Sequence, residues 1–349
     1  METEGAVVVH REVGPTIASP LTVYLDQNKW IELARAARSP SAHPARHDIF
    51  MRLAFRSWAR EVLIPLSATN YIEVWHRHDW RSRYRLAQVM RDLSQYCTLS
   101  AAHVLLGMEL DIEFQKRFGR PTEIRRVQPT GTGVRHAFAH PWGRLRFVES
   151  VYEDGQPEGS PIDPDPSVVA ALRDRPALFE WMSLAGPDVN FPIPGLDHDN
   201  HRREGRAHAA EQAEFELQLD QLGLVHRRHD AVVLETLTHN INAINDAIQH
   251  ACIDGRLLLE GGPPGISAFA ASIPILNVLI ELTYLRRTNR QQPWTANDLR
   301  DLISLAATIV YCDVVVTERQ WVHLISRAKL DRQYSITVLN SLEDLDAII

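Results

Sequence analysis

The sequence contains few cysteines and almost no lysine. Its three cysteines (Cys97, Cys252 and Cys312) are widely spaced and form no Cys-x-x-Cys pair, so neither a disulfide framework nor a thiolate zinc site is indicated. Nearly all positive charge is arginine, since only three of the 349 residues are lysine. Arginine suits bidentate contacts with phosphate. The net charge of -7 argues against a polyanion-binding surface over the whole protein, so any nucleic-acid contact must be local.

Long hydrophobic runs are also absent. The most apolar stretch, ISAFAASIPILNVLI, is interrupted by Pro274 and Asn277 and is too short to span a bilayer comfortably, so we expect a buried helix. The first residues, METEGAVVVHREVG, lack the basic start and the long apolar centre of a signal peptide. These features predict a cytoplasmic protein of one or two domains without membrane contact.

The stretch VYLDQNKWIELARA joins an apolar run to a helical pattern at an aspartate. The residues from Leu21 to Leu25 predict a short strand, and from Trp30 onwards the apolar residues recur at helical spacing. Asp26 therefore stands at the carboxyl end of a strand, which is where ligands bind in open α/β sheets. A second interpretation is that Asp26 or Asn28 simply caps the helix.

A second strand and helix repeat this arrangement in VLIPLSATNYIEV. The apolar segment from Val62 to Leu66 predicts a strand, and Ser67 is a candidate N-cap of the helix that follows. Glu73 falls in the first turns of that helix. The sequence thus has a second acidic residue just past the end of a strand.

Near the C-terminus, NDLRDLISLAATIVYCDVVVTERQW predicts a helix followed by a buried strand. Asp301 lies on the helix, and Asp298 stands one turn earlier as a candidate capping residue. The continuous valines are typical of a parallel strand that is covered on both faces. Asp313 and Glu318 bracket this strand.

These acidic residues form a candidate metal site. Carboxylates that converge repel one another, so a fold tolerates them most easily when a cation neutralises them. Hard oxygen ligands select Mg²⁺ or Mn²⁺, which also accept oxygens from phosphate. Such ions serve phosphodiester hydrolysis, because they activate water and screen the developing negative charge. The alternative is a set of unrelated surface acids.

The chain resembles PIN and PIN-like nucleases in VYLDQN, in IPLSATNYIEV and in the C-terminal helix and strand just described. The resemblance implies a three-layer α/β/α fold with a central, mostly parallel sheet. It also implies a Mg²⁺- or Mn²⁺-dependent nuclease that cleaves RNA more readily than DNA. Matching the motifs residue by residue implies that Asp26, Glu73 and Asp301 bind metal and that Asn28 supports Asp26.

The fourth acid of the implied site has two candidates. The family generally has an aspartate directly after the threonine of the last motif, and here that position is Glu318 after Thr317. Asp313, at the start of the same strand, is the other candidate. Thr317 is assigned a supporting role, and Asp298 is either a helix cap or a substitute ligand.

The chain departs from the family in the distance between Glu73 and Asp301. We expect residues 21–100 and 266–349 to form one discontinuous PIN-like domain. Residues 101–265, which contain Pro/Gly/acid-rich stretches and helical patterns, are predicted to form a mostly helical insertion of unknown role. What the insertion binds is left open.

Arginines near the second motif are candidates for substrate binding. Arg52 and Arg56 share one face of a predicted helix, and Arg81 follows the helix of Glu73. Positive charge beside an acidic metal site would hold a nucleic-acid backbone. The alternative is an ordinary solvated helix face whose arginines form salt bridges.

Three further hypotheses remain open. RREGRAH, from Arg202 to His208, matches the loose Arg-x4-His arrangement of HEPN-type ribonucleases, which need no metal. A catalytically inactive PIN-like scaffold is the main alternative to an enzyme. The resemblance also implies an antitoxin or other partner protein, homo-oligomers, and a role in toxin–antitoxin or phage-defence systems.

Overall fold

The computed structural model of the protein describes residues 19–143, 145, 151–153, 156–158, 163–193, 196–197, 199–289 and 292–349. The strands in these residues are β1 (Leu21–Leu25), β2 (Val62–Leu63), β3 (Cys97–Leu99), β4 (Thr130–Thr132), β5 (Val151–Glu153), β6 (Gln156–Glu158), β7 (Val314–Val316) and β8 (Thr337–Leu339). The helices of the first half are α1 (Gln27–Arg38), α2 (Pro44–Trp58), α3 (Ala68–Trp75), α4 (Trp80–Ser94), α5 (Ala102–Phe118), α6 (Gly133–Phe138), α7 (Pro166–Asp174) and α8 (Pro176–Ala185). The later helices are α9 (Asn200–Gln221), α10 (Arg228–His239), α11 (Ile241–Ala251), α12 (Gly262–Ser272), α13 (Pro274–Thr288), α14 (Asp298–Tyr311), α15 (Arg319–Ala328), α16 (Leu330–Gln333) and α17 (Leu342–Asp346).

The central sheet has four parallel strands in the order β2-β1-β7-β8. In its middle, Val23 of β1 lies opposite Val314 of β7. The strands come from both ends of the chain, so the long middle segment connects β2 to β7. The prediction of a mixed α/β protein with a parallel sheet is confirmed.

Helices cover both faces of this sheet. Side chains alternate between the faces of a strand, and in β1 and β7 the alternate residues belong to two different hydrophobic clusters. Tyr24 and Val315 pack in a cluster with α5 and α10 to α15. Val23, Leu25 and Val316 pack in a second cluster with α1 to α4 and α17. The arrangement is therefore three layers, and the continuous valines of β7 are buried on both sides as expected.

The middle of the chain is mainly helical and shares its core with the C-terminal part. Leu105 of α5 and Val232 of α10 lie in the same buried cluster as Leu276 of α13 and Leu305 of α14. The hydrophobic core therefore continues across the expected boundaries near residues 100 and 265. The division into a nuclease domain and an insertion stays a prediction.

The most apolar stretch forms two helices rather than one. Pro274 occupies the first turn of α13, where its missing N–H costs no hydrogen bond, and α12 meets α13 at an angle of 109°. Phe269 and Leu276 on the two helices are buried in the core. Of the described residues, no single helix is long and apolar enough to cross a bilayer, whereas this bent pair meets that requirement jointly.

Candidate functional site

A cleft of about 340 Å³ opens beyond the carboxyl ends of β1 and β7. This is the edge at which ligands bind in open parallel sheets. Five acidic residues from separate parts of the chain line it. They are Asp26, Glu73, Asp298, Asp301 and Glu318. The structure thus brings together the three acids that the resemblance assigns to metal binding and one of the two candidates for the fourth.

Asp26 follows β1 and is the N-cap of α1. Its carboxylate accepts a hydrogen bond of 2.7 Å from the backbone N–H of Gln27 and one of 3.1 Å from the hydroxyl of Thr317. Burial raises the pKa of Asp26, and the negative charge of Glu318 raises it further. The same carboxylate therefore caps α1 and lines the cleft, and the hydroxyl of Thr317 fixes its direction.

Glu73 is held in the cleft by α3. Ser67 is the N-cap of this helix, and it forms a capping box in which Asn70 at the third helical position reciprocates. Burial raises the pKa of Glu73 to about 7, and the neighbouring Asp26 contributes to the shift. Arg300 of α14 acts in the opposite direction because its positive charge favours the carboxylate.

Asp301 faces the cleft from the first turn of α14. The indole N–H of Trp321 donates a hydrogen bond of 3.0 Å to its Oδ2. Trp321 is fully buried, so this donor fixes the direction of the carboxylate. Burial, followed by repulsion from Asp26, raises the pKa of Asp301 to about 8. A carboxyl with such a pKa lacks a nearby positive charge to balance it.

The two candidates for the fourth acid lie at opposite edges of the sheet. Glu318 follows β7 and accepts a hydrogen bond from the side-chain amide of Asn28. Asp313 precedes β7, is exposed, and accepts a hydrogen bond of 2.7 Å from the backbone N–H of Thr22 near the start of β1. The structure therefore assigns Glu318 to the cleft and does not bring Asp313 there.

Asp298 has a structural role. Its Oδ2 accepts hydrogen bonds from Arg286, at 2.9 Å, and from the backbone N–H of Thr295, at 2.8 Å. The side chains of Asp298 and Arg286 are 1% and 2% exposed, so the ion pair is buried. Asp298 lines the cleft, but its Oδ2 already accepts hydrogen bonds from the Arg286 guanidinium group and from the Thr295 N–H.

The arginines selected from the sequence lie outside the cleft. Arg52 forms an ion pair with Asp346 of α17, and Arg56 forms one with Glu61. Arg81 stacks on Trp80, with 4.7 Å between its guanidinium carbon and the ring centroid. The arginine that does line the cleft is Arg77, just after α3. The structure does not support Arg52, Arg56 or Arg81 as substrate contacts. The first two bind acids and the third stacks on a tryptophan.

Gln27 is a cleft residue that sequence reasoning missed. Its Oε1 accepts a hydrogen bond of 3.1 Å from Asn70, while its Nε2 is buried and has no partner among the described residues. An unpaired buried donor is costly, and it suits an anionic oxygen of a ligand. Its position, next to Asp26 in the VYLDQN motif, was the only available signal.

The donor set fits a hard divalent cation. All four candidate ligands are carboxylates, and the pKa values of Asp26, Glu73 and Asp301 are raised because burial and mutual repulsion outweigh the nearby positive charges. Mg²⁺ typically uses one or two carboxylates and keeps several waters. A cation bound by these carboxylates would therefore keep positions for water. Among the described residues, one group of His, Cys, Asp or Glu side chains has its ligand atoms within 4.8 Å of one another, and this group lies outside the acidic cleft.

That group lies in a second cleft between α9 and α10. It consists of Glu211, Glu235 and His239. Both carboxylate oxygens of Glu235 accept hydrogen bonds from Arg287, and one also accepts from Gln212. A cation there would face a buried guanidinium group, so the residues do not form a ready metal site.

The HEPN-like pattern is not assembled into a site. Arg203 is exposed and forms an ion pair with Asp197. His208, five positions along the same helix, packs edge-on against Trp294 in the second cleft. Five residues correspond to about 140° around an α-helix with 3.6 residues per turn, so the two side chains point in different directions.

Comparisons with known proteins add no relative to these observations. No family model matches the chain, no curated protein matches it, and no solved structure matches it. The resemblance to PIN-like nucleases therefore rests on the sequence motifs alone.

Proposed function

We propose that the protein is a nuclease of PIN-like fold that hydrolyses phosphodiester bonds with Mg²⁺ or Mn²⁺. The observation behind this proposal is the convergence of Asp26, Glu73, Asp301 and Glu318 in one cleft. These acids come from three regions of the chain, and their shared burial is costly without a cation. RNA is favoured over DNA because the motifs resemble a family that mainly cleaves RNA.

The strand order supports the fold part of the proposal. One acid directly follows β1, one lies on the helix after β2, one lies on the helix before β7 and one follows β7. Because β1, β2 and β7 are parallel, their carboxyl ends meet at one edge. This matches the order of motifs in which the resemblance was found.

Several residues have a chemical role in the proposed reaction. The four carboxylates would hold the cation, Thr317 and Trp321 orient two of them, and the free amide of Gln27 would bind a phosphate oxygen. A divalent cation, when bound, polarises the phosphate and activates water for in-line attack. The products are a 5′-phosphate and a 3′-hydroxyl.

The test is cleavage of labelled single-stranded RNA and DNA in Mn²⁺, in Mg²⁺ and in EDTA. Asp26→Asn should abolish cleavage while keeping the fold, because asparagine also caps helices. Asp313→Asn is the matched control. It makes the same change at the opposite edge of the sheet and should leave the rate unchanged.

The alternative is a catalytically inactive scaffold with this fold. It predicts no cleavage by any variant and no Mn²⁺ binding in calorimetry. Cleavage that persists in EDTA would contradict the proposed metal chemistry. Cleavage that is lost equally in both aspartate variants would instead show damage to the fold.

A further inference from the structure

A groove of about 330 Å³, separate from both clefts described above, lies beside the acidic cleft between α1 and α4. Its polar wall is mostly arginine. The polar lining residues are Arg35, Arg38, Arg77, Asp79, Ser82 and Arg85. Four guanidinium groups against one carboxylate make this groove strongly positive in a protein whose net charge is -7.

The groove adjoins the acidic cleft through one residue. Arg77 lines both, so its guanidinium group lies where the positive groove meets the carboxylates. Its position is fixed because its Nε and Nη2 donate hydrogen bonds of 3.1 and 3.0 Å to the hydroxyl of Ser82. A chain of phosphates leaving the cleft past Arg77 would therefore enter the groove.

Three of the groove arginines lack the acidic partners that several arginines of α2 and α4 have. Among the described residues, the side chains of Arg35, Arg38 and Arg85 form no hydrogen bond or ion pair with protein. By contrast, four arginines of α2 and α4 outside the groove bind acids. These are Arg46, Arg52, Arg56 and Arg91.

Helix electrostatics explains only part of this cluster. Arg35 and Arg38 lie in the last turn of α1, where positive charge is favourable. Arg85 lies in the first half of α4, where it gains nothing from the helix dipole. Burial, and then the charge of Arg35, lower the pKa of Arg77. The groove therefore holds mutually repelling cations that an anion would stabilise.

We propose that this arginine groove binds the sugar-phosphate backbone of single-stranded nucleic acid on one side of the scissile phosphate. The inference rests on the proposed function, because the bound strand is the substrate of the cleft. A concave positive groove that follows the backbone is how proteins bind single strands without sequence preference. The overall negative charge of the protein then limits nucleic-acid binding to the arginine groove.

The test is the affinity of single-stranded RNA of about twelve nucleotides, a length within the range of single-strand sites. Binding is measured by fluorescence anisotropy at several salt concentrations with Mg²⁺. All proteins include Asp26→Asn, so the strand stays intact. The groove variant is Arg35→Ala with Arg85→Ala. The matched control is Arg256→Ala with Arg327→Ala, two exposed arginines outside the groove.

We expect the groove variant to bind about tenfold more weakly at low salt. Its slope of log K against log[salt] should fall by about 1.4, since each phosphate contact on a single strand contributes about 0.7. The control pair should keep the affinity and slope of the parent. Thermal melts verify that both double variants fold.

The outcomes separate this inference from the proposed function. Equal affinity and slope in the groove variant and its parent would overturn the inference, even if the wild-type protein cleaves RNA. If the wild-type protein cleaves no nucleic acid but RNA binding still depends on the groove arginines, the groove proposal would be supported and the nuclease proposal contradicted. Equal affinity for a duplex of the same length would overturn the assignment to single strands.

Discussion

The hydroxyl of Thr317 donates a hydrogen bond of 3.1 Å to Asp26 Oδ2, which joins residues 291 positions apart. The backbone N–H of Asp26 also donates to the carbonyl of Val316, at 3.0 Å. The ends of β1 and β7 are thereby fastened together where the acidic cleft begins. The hydroxyl orients a carboxylate that its neighbours repel, so Thr317 is a positioning residue.

Replacing Thr317 by valine keeps the shape of the side chain and removes this donor. We expect Mn²⁺ affinity and kcat to fall about 10- to 100-fold, the usual effect of losing a hydrogen bond that orients a metal ligand. Calorimetry with Mn²⁺ and single-turnover cleavage measure the two effects. Thr308→Val is the control and should change neither, because this threonine of α14 is buried and, among the described residues, its hydroxyl bonds only a carbonyl of its own helix.

The sequence places Asp26 and Glu73 after strands and Asp301 on the helix that precedes β7. Their assignment to metal binding comes from the family resemblance, and the parallel pairing of the strands brings their positions together. The fourth acid could not be chosen from sequence alone. The choice depends on where β7 starts and ends, and a strand of only three residues leaves that open.

The ion pair of Arg52 could not be predicted because its partner lies far away in sequence. Arg52 meets Asp346, 294 positions later, on a helix that no local pattern relates to α2. Leu53 beside it is buried, which turns Arg52 toward solvent and α17. The pairing of Asp298 with Arg286 is hidden for the same reason, since it depends on how α13 packs against α14.

Gln27→Glu tests the free amide in the cleft. The change keeps the acceptor for Asn70 but replaces the unpaired donor by a negative oxygen. A hydrogen bond to a charged group contributes about 1.5–3 kcal/mol, so we expect kcat/KM for RNA to fall about 10- to 100-fold. Mn²⁺ affinity should not fall, because the added charge is negative.

The control for added charge is Asn297→Asp. Asn297 also lines the cleft, but its side chain is exposed and forms no hydrogen bond among the described residues. We expect its effect on kcat/KM to be much smaller than that of Gln27→Glu. Equal losses in the two variants would attribute the effect to charge and would contradict a specific donor at Gln27.

Asp298→Asn separates a structural acid from a metal ligand. The change leaves the buried Arg286 without its anion, and breaking a buried pair costs about 3–5 kcal/mol of stability. Urea denaturation should show this loss, while Mn²⁺ affinity of the folded variant should match the wild type. A loss of Mn²⁺ affinity as large as that of Asp26→Asn would identify Asp298 as a ligand.

We expect the burial of Glu109 to make the free energy of unfolding depend on pH, independently of the cleft. It is 4% exposed and accepts hydrogen bonds from the N–H of Ile275, at 2.8 Å, and from the hydroxyl of Tyr311, at 2.7 Å. Burial raises its pKa to about 7, against 4.5 for an ordinary glutamate. Between these values the folded protein binds more protons than the unfolded chain, so the free energy of unfolding falls as pH rises.

In EDTA we expect the wild type to lose roughly 3 kcal/mol through Glu109 between about pH 4.5 and pH 7. The loss should be complete above that range, where the group is ionised in both states. Glu73 and Asp301 add losses of the same sign up to about pH 8, because their pKa values are also raised. Glu109→Gln cannot ionise, so its urea-unfolding free energy should fall by roughly 3 kcal/mol less over this range. Parallel pH profiles for the two proteins would show that Glu109 is not protonated in the folded state, whereas Mn²⁺ should flatten only the part that belongs to the cleft.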